Sequence, residues 1–476
     1  MLGARRARFE LAERARGTSV GGAAVALEVA RNTGLVRAID DRVRILKCHH
    51  PYHESDHVMN LALNALCGGR TLDDIEVRRN DQAFLDAIGA EAIPDPTTAG
   101  DFCRRFEAAH VEALMTAINE VRVNLWRQQG EAFVAQTAVI DADGTMVPTS
   151  GDCKEGMDIS YKGEWGYHPL LVSFANTGEP LFIVNRSGNR PSHEGVAPRF
   201  DASIELCRRA GFTDILLRGD TDFSLTTELD RWDGDGVGFI LGFNAVETLI
   251  ARADSEALRS TYCELVRHAE HAFEARARRA KQPRVKPEIV RERRYKKLRT
   301  KSEDVTEFEY TPSKCKRPYR MVVLRKNLSV ERGEDVLFDD VRYFFFITNT
   351  AMDADEVVLE ANQRCNQENH IAQLKGGVRA LHAPVNTLIA NWAYMVMCSL
   401  AWTLKAWMAL LLPVDARWRD KHGQQRDQWL RMEFRTFVQA VIAVPTQVVT
   451  TARSLVVRFL GWRPQLPALF RLIDAL

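Results

Sequence analysis

The chain has 476 residues, of which 46% are hydrophobic and 27% are charged, a composition that is typical of globular proteins and excludes wholesale disorder. Its 64 Lys and Arg residues nearly balance its 63 Asp and Glu residues, so net charge does not indicate a nucleic-acid-binding protein, and charge has to be compared segment by segment. The nine cysteines are dispersed, and none belongs to a CxxC pair. This pattern, together with a first stretch of 20 residues that lacks the apolar core of a secretory signal, predicts a cytoplasmic protein with reduced thiols.

Residues 1–130 are predicted to form a helical region. The segment 55–66, SDHVMNLALNAL, places its apolar residues on one helical face, with Ser55 able to cap the helix. Pro96 stands where the first turn of another helix is expected, ahead of a long amphipathic run to Trp126. Short helices joined by tight polar turns are typical of helix-turn-helix modules that bind DNA, although most such arrays only pack against one another.

The pattern changes to alternating strands and helices in residues 131–250. The segments FVAQTAVIDADG, HPLLVSFANTG, EPLFIVNRSG, DILLRGDTDF and VGFILGF are predicted strands, and 200–210 is a predicted amphipathic helix. Asn176-Thr177-Gly178 is expected to close a hairpin between the second and third of these strands. This alternation predicts an α/β core.

A basic segment interrupts the core within residues 251–335. Between His271 and Thr300 there are 12 Lys and Arg residues and three Glu residues, a local net charge of +9. Such a run is either a solvated charged loop or a DNA contact. Strands are predicted to resume at YRMVVLR and DVRYFFFITN, and a second part of the core is expected over 336–410. Within it, 388–412 is predicted to be a buried helix rather than a membrane span, and a helical C-terminal region is expected over 411–476.

Three acids follow apolar segments in a way that suits phosphodiester chemistry. Asp143 and Asp220 each end a predicted strand, and Glu368 lies on a predicted helix. One such Asp is most often only a turn or cap residue. Three carboxylates that converge at one edge of a sheet, however, are hard oxygen ligands for two divalent ions, of which one activates the attacking water or 3′-hydroxyl and the other stabilises the leaving oxygen. Mg²⁺ suits such an open site because it binds through few protein ligands.

Two basic residues flank Glu368 on the same predicted helix. The spacing R-x3-E-x6-K places Arg364 one turn before Glu368 and Lys375 two turns after it, on nearly the same side. Cations on both sides of a metal-binding carboxylate are suited to gripping DNA phosphates. The alternative is a solvated helix with an Arg–Glu pair.

Taken together, these motifs resemble the DDE transposases of the IS4-like superfamily, and specifically the IS1380 family. The resemblance covers the chain from about Ser55 onward and rests on DGT at 143–145, GYHPL at 166–170, RGDTDF at 218–223 and RCNQEN at 364–369 with Lys375. It implies an RNase H-like mixed-sheet core, with a helical N-terminal DNA-binding region and a β-containing insertion between the second and third acids. It also implies cut-and-paste transposition of a bacterial insertion sequence.

The same resemblance implies roles for individual residues. Asp143, Asp220 and Glu368 become the catalytic, metal-binding triad for Mg²⁺ or Mn²⁺, with two ions per site when DNA is bound. The expected partners are the terminal inverted repeats and target DNA, bound by a homodimer, with no membrane. The expected DNA contacts are Arg364, Lys375, Arg291, Arg293, Arg294, Lys296 and Lys297.

Two alternatives remain open at this point. Asp141 and Asp143 stand in D-x-D-G-T, the nucleophile motif of haloacid-dehalogenase-like phosphatases, in which Asp141 would be the nucleophile. That motif requires a later Lys, and none occurs between Lys162 and Asp220. The second alternative is a catalytically inactive transposase derivative that still binds DNA. Asp141 and Asp222 are expected to support the triad rather than to bind metal.

Overall fold

The computed structural model of the chain describes most of its residues, including all three predicted metal-binding acids. The described ranges are 16–149, 151–152, 154–265, 298–299, 302–328, 330–331, 334–335, 340–450 and 454–476. The predicted DNA contacts of the basic segment lie outside these residues, namely Arg291, Arg293, Arg294, Lys296 and Lys297.

A mixed sheet of nine described strands forms the centre of the fold. In chain order the strands are β1 (Ala138–Gly144), β2 (Leu170–Phe174), β3 (Glu179–Val184), β4 (Ile215–Gly219), β5 (Gly238–Phe243), β6 (Cys263–Glu264), β7 (Ser302–Tyr310), β8 (Tyr319–Asn327) and β9 (Val341–Thr348). Across the sheet they follow the order β6-β7-β8-β9-β5-β4-β1-β2-β3. Strand β4 runs parallel to β1 and β5, and the other neighbouring strands of this sheet are antiparallel.

One half of the sheet has the arrangement of an RNase H-like core. Strands β3, β2 and β1 are antiparallel neighbours, and β4 and β5 follow in parallel, which confirms the predicted fold class. Strands β7 and β8, which fall within the predicted insertion, continue the same sheet through β9. The domain boundaries 1–130, 131–250, 251–335, 336–410 and 411–476 stay predictions.

The two faces of the sheet bury different residues because successive side chains of a strand point in opposite directions. In β1, Ile140 and Ala142 join the main hydrophobic core. In β4 and β5, Leu216 and Ile240 belong instead to a smaller cluster, which also contains Val357. Asp141 and Asp143 alternate with the core residues of β1, so they lie on the face of this smaller cluster.

Helices cover both faces of the sheet. Five of them matter for the site: α1 (Ala108–Arg127), α2 (Val196–Ala210), α3 (Ala354–Gln363), α4 (Cys365–Ala372) and α5 (Leu388–Leu410). The remaining described α-helices are Gly22–Asn32, Leu35–Arg42, Glu54–Leu66, Ile75–Arg79, Gln82–Ile88, Pro96–Arg104, Glu131–Val134, Leu229–Gly234, Glu247–Ala253, Glu256–Arg259, Arg419–Arg431, Phe434–Phe437 and Leu466–Ala475. Short 3₁₀ segments occur at Thr221–Phe223 and Ala416–Trp418, and π-helical turns occur at Gln373–Gly377 and Val438–Ile442.

Helix α5 is the one described helix that is long and apolar enough to cross a membrane, and it is buried inside the protein over its apolar window. It packs against α1 and β3, where Trp407 of α5 donates a hydrogen bond of 2.8 Å to the buried Glu179. The same carboxylate accepts hydrogen bonds from Arg122 and Trp126 of α1, so the polar groups of this region are satisfied within the core. The apolar run is therefore a core helix.

The C-terminal region differs from the helical region that the sequence suggests. Thr446–Thr450 and Leu455–Phe459 form an antiparallel hairpin, and Arg16–Thr18 adds a third strand to it. The Val-rich composition of the segment, which favours strands, explains the difference. Two further small sheets consist of Val147–Pro148, Asp158–Ile159 and Trp165–Tyr167, and of Leu298–Arg299, Val330–Glu331 and Glu334–Asp335.

Candidate active site

Asp143 lies near the end of β1, an inner strand of the sheet, between β4 and β2. It pairs in register with Leu171 of the antiparallel strand β2. Its side chain is 13% exposed, so the carboxylate is largely desolvated but still reachable from one side. This is the position that the sequence pattern predicts for an acid at a strand end.

Asp220 follows β4, which is the neighbour of β1 in the sheet. Its side chain accepts a hydrogen bond of 2.9 Å from the backbone N–H of Asp222 and caps the short 3₁₀ turn. A Cβ atom on Gly242 of β5 would come within 2.8 Å of the backbone nitrogen of Thr221. The turn therefore lies close against β5. Asp222 lies in the turn rather than on an extended strand, so it does not share a strand face with Asp220.

Glu368 reaches the same place from α4. The predicted helix that carries Glu368 is divided at Arg364, where α3 ends and α4 begins. The Arg364 guanidinium lies between two of the predicted acids, 3.3 Å from an Asp143 oxygen and 3.4 Å from a Glu368 oxygen. The structure therefore brings Asp143, Arg364 and Glu368 together, although 221 residues separate the first two.

The three acids act on one another electrostatically. The pKa of Asp143 is raised to about 7, mainly by burial; the Arg364 guanidinium opposes this shift, and the nearby carboxylates of Asp220 and Glu368 contribute to it. Burial also raises the pKa of Asp220, with Glu368 contributing in the same direction. Negative charges this close together favour the binding of an additional cation.

Lys375 also lies at this site, in the π-helical turn that follows α4. Its ammonium group donates a hydrogen bond of 2.6 Å to the backbone carbonyl of Met146, three residues beyond Asp143. Burial lowers the pKa of Lys375, whereas Glu164 and Asp143 raise it. The predicted cation is thus beside the acids, but the π-turn and not a regular helix places it there.

Beneath the site is a buried charge network that the sequence analysis missed. The Arg218 guanidinium donates hydrogen bonds to both oxygens of the Asp141 carboxylate, at 2.7 and 2.8 Å. It also donates a hydrogen bond of 2.7 Å to the Glu360 carboxylate. The Arg218 and Asp141 side chains are only 3% and 1% exposed. The network joins β1, β4 and α3, the elements next to the three acids. The sequence indicates this network by placing one charged residue inside each of two apolar strands, Asp141 in β1 and Arg218 in β4.

The residues present fit a divalent cation by their chemistry. Three carboxylates share one site, and the Arg364 guanidinium stands between two of them as their present counter-charge. Over the described part of the chain, no three acidic, His or Cys side chains lie at the spacing of a formed metal centre. Oxygen ligands in an open site are suited to Mg²⁺ or Mn²⁺.

The geometry does not suit the phosphatase alternative. Its nucleophile would be Asp141, but that side chain is buried and both of its oxygens accept hydrogen bonds from Arg218. An aspartyl nucleophile needs a free oxygen that faces the substrate. Asp141 instead has the structural role that the sequence analysis gave it.

Of the comparisons with known proteins, one shows the family of the chain. No curated protein matches the chain. Among solved structures, the cryo-electron-microscopy structure of a piggyBac transposase synaptic complex with hairpin DNA matches at 10% identity and a TM-score of 0.40, over 89% of this chain and 84% of that one. The sequence model of the transposase DDE domain, group 1, matches residues 12–476. Because this match spans nearly the whole chain, the protein belongs to the DDE transposase family described by that domain.

Proposed function

We propose that the protein is the transposase of a bacterial insertion sequence of the IS4-like superfamily, IS1380 family, which cuts DNA at the ends of its element and joins the freed 3′-hydroxyls to target DNA. The observation that carries the proposal is the convergence of Asp143, Asp220 and Glu368, from two neighbouring strands and a helix, around Arg364. Membership of the DDE transposase family supports it.

The catalytic and metal-binding residues in this proposal are Asp143, Asp220 and Glu368. Two Mg²⁺ or Mn²⁺ ions held there with DNA would supply an activated oxygen nucleophile and stabilise the charge on the leaving oxygen. The protein's own contribution is to hold the carboxylates on the sheet, exclude water from the buried side of Asp143 and bind the phosphates. Arg364 and Lys375 are the phosphate contacts within the described residues.

DNA is the proposed partner over a wider surface. Arg291, Arg293, Arg294, Lys296 and Lys297 supply a run of positive charge in the sequence that would raise the affinity of the protein for DNA. A reaction that joins two element ends to one target needs at least two active sites, so we propose a homodimer on DNA. Such a protein acts in the bacterial cytoplasm.

The test is cleavage of linear DNA that carries the terminal repeats of the element. Wild-type protein is incubated with Mg²⁺ or with EDTA, in parallel with Glu368→Gln, and products are resolved on a denaturing gel. We expect end-specific strand cleavage with Mg²⁺ only, and a loss of about 1,000-fold or more in the variant, because removing one metal-binding carboxylate removes most of the metal's transition-state stabilisation. Cleavage that persists in EDTA or in Glu368→Gln would contradict the proposal.

A DNA-binding protein without nuclease activity is the remaining alternative. It predicts binding to the same terminal DNA in a gel-shift assay with no Mg²⁺-dependent nick. The complete triad and its geometry favour the active enzyme. The control substitution is Glu205→Gln, an exposed carboxylate on α2, outside the predicted DNA-binding regions, which should leave both cleavage and binding unchanged.

A further inference from the structure

A small hairpin sheet leaves the main sheet directly after Asp143. Val147–Pro148 pairs with Trp165–Tyr167, which in turn pairs with Asp158–Ile159. The last two strands are joined by a tight turn, in which the backbone N–H of Gly163 donates to the carbonyl of Ser160 at 2.9 Å. Gly163 has φ +80°, a left-handed conformation that glycine adopts without strain, so the turn is locally well specified.

The end of this hairpin carries large apolar side chains that the described part of the protein leaves wholly or partly exposed. Tyr161 is 93% exposed, Trp165 is 52% exposed and Ile159 is 43% exposed. Ile159 and Trp165 are directly opposite each other in the strand register, so their side chains share one face. Single exposed apolar residues are ordinary, but three within seven residues form a patch of the kind that marks an interaction site.

The base of the hairpin, in contrast, is held firmly. The Tyr167 hydroxyl donates to the carbonyl of Glu155 at 2.7 Å, and the Ser187 hydroxyl donates to the carbonyl of Gly156 at 2.6 Å. The ammonium group of Lys154 donates to the carbonyl of Val385 at 2.7 Å. A rigid base with exposed aromatic rings at its end is preorganised for binding, because little conformational entropy is lost when a partner is bound.

Charges around the hairpin indicate the chemistry of that partner. The Lys162 ammonium lies 5.4 Å from the centre of the Tyr161 ring. The first strand of the hairpin sheet begins four residues after Asp143, and the Lys375 ammonium donates a hydrogen bond of 2.6 Å to the Met146 carbonyl directly before it. The backbone N–H of Thr149 donates to the carbonyl of Trp165 at 3.0 Å, so Trp165 lies beside the segment that leads from the acids. Flat aromatic rings with a neighbouring cation, beside a phosphodiester site, match a nucleotide: the base stacks on the ring and the phosphate pairs with the ammonium.

We propose that Tyr161 and Trp165 form a stacking platform for unpaired bases of the DNA strand that lies in the active site, with Lys162 bound to an adjoining phosphate. This inference rests on the proposed function, because it takes DNA as the substrate of the adjacent acids. It adds a contact that engages bases without reading their sequence, since every base has a flat face.

The experiment measures stacking directly, in the full-length protein and in EDTA so that cleavage plays no part. The probe is a short oligothymidine that carries one 2-aminopurine, whose fluorescence reports stacking, with a blunt duplex of the same length for comparison. The variants are Tyr161→Ala and Trp165→Ala, with Tyr161→Phe and Trp165→Phe as conservative partners. Trp462→Ala is the matched control, because Trp462 is 76% exposed and belongs to the C-terminal region.

We expect each alanine variant to weaken single-strand binding by about ten-fold and to reverse the fluorescence change, whereas the phenylalanine variants and the control behave as wild type. Lys162→Ala should instead reduce the salt dependence of binding by about one phosphate contact. Thermal melting followed by circular dichroism identifies variants that fail to fold. If an alanine variant fails to fold, Tyr161→Phe and Trp165→Phe still test whether an aromatic ring is sufficient for stacking.

Unchanged stacking in both alanine variants would overturn the proposal. So would variants that lose self-association in sedimentation velocity while keeping the DNA signal, because the patch would then be a contact between copies of the chain. A protein that stacks the probe but does not cut terminal-repeat DNA would contradict only the proposed function.

Discussion

Two arginine–carboxylate groups lie on the same face of β1, one around Asp141 and the other around Asp143. In the first, Arg218 binds Asp141 through two bonds of 2.7 and 2.8 Å, with both side chains almost fully buried. In the second, Arg364 is 3.3 Å from Asp143 and 3.4 Å from Glu368, whose side chain is 60% exposed. The residue types are the same, but the distances and the access to solvent differ.

This difference separates a structural site from a candidate active site. Short, two-pronged bonds in a buried site hold their partners in one arrangement, and breaking them leaves a charge that water cannot reach. Longer contacts at an open edge are easily exchanged, so the Asp143 and Glu368 carboxylates remain available to other cations and Arg364 remains available to phosphate. Four predictions test this contrast.

The largest effect is expected at Arg218. Arg218→Gln should lower the free energy of unfolding by about 3–5 kcal/mol, because it leaves the Asp141 carboxylate buried without a counter-charge. Urea denaturation followed by circular dichroism measures it. The double variant Asp141→Asn/Arg218→Gln should recover part of the loss. A loss below about 1 kcal/mol in the single variant would show that the buried network does not hold these elements together.

Arg364→Gln should instead change activity strongly and stability only slightly. We expect the unfolding free energy to change by less than about 1 kcal/mol, since the contacts are long and partly exposed. Strand cleavage should fall about 30-fold or more, as the loss of a charged phosphate contact predicts. The comparison uses denaturation and gel-based cleavage on one protein preparation. Equal damage to stability and activity would remove the distinction between the two groups.

Asp143→Asn should change the dependence of stability on pH in the absence of metal. The native pKa of about 7 lies above the ordinary value of an unfolded Asp, so the native state holds the extra proton between about pH 4 and pH 7. The free energy of unfolding of the wild type therefore falls as pH rises through that window. The variant has no titrating carboxyl at this position, so its free energy of unfolding does not fall for this reason. Thermal melts in EDTA should show the variant more stable by about 1–2 kcal/mol at pH 8 and nearly equal to wild type at pH 4. A difference that does not depend on pH would contradict the desolvated state of Asp143.

The smallest effect on stability is expected at an exposed ion pair, which serves as the reference for the two β1 sites. Arg37 and Asp41 are 3.6 Å apart with side chains 88% and 67% exposed. Arg37→Ala should change the unfolding free energy by no more than about 0.5 kcal/mol, because solvent and salt screen such a pair. Denaturation in low and high salt checks this value. A cost comparable to that of Arg218→Gln would mean that burial is not what distinguishes the two β1 sites.

Much of the core and of the site could be predicted from the sequence. The five strands of the RNase H-like half are short apolar runs bounded by turn residues, so they can be recognised in the sequence. Asp143 and Asp220 can then be recognised as the acids at the ends of two of these strands. The spacing also places Arg364 one turn before Glu368, and the two side chains are 3.4 Å apart. These features depend on local patterns, which a single sequence displays.

Features that depend on long-range pairing could not be read in this way. Nothing local indicates that β7 and β8 would continue the central sheet through β9, or that Arg16–Thr18 would pair with Thr446–Thr450. The partner of Lys375 is the Met146 carbonyl because a π-turn changes the helical register, which spacing alone does not reveal. The Arg218 network likewise needs three elements that are distant in sequence.

The attachment of β9 to β5 has a consequence for how such a protein can change. Asp220 and Glu368 are 148 residues apart, yet the ladder between β5 and β9 brings the chain back to the sheet a short distance before the helix that carries Glu368. Segments inserted or deleted beyond that ladder can vary in length and charge without altering the spacing of the carboxylates. The arrangement of the three carboxylates can thus stay constant while the inserted segments diversify.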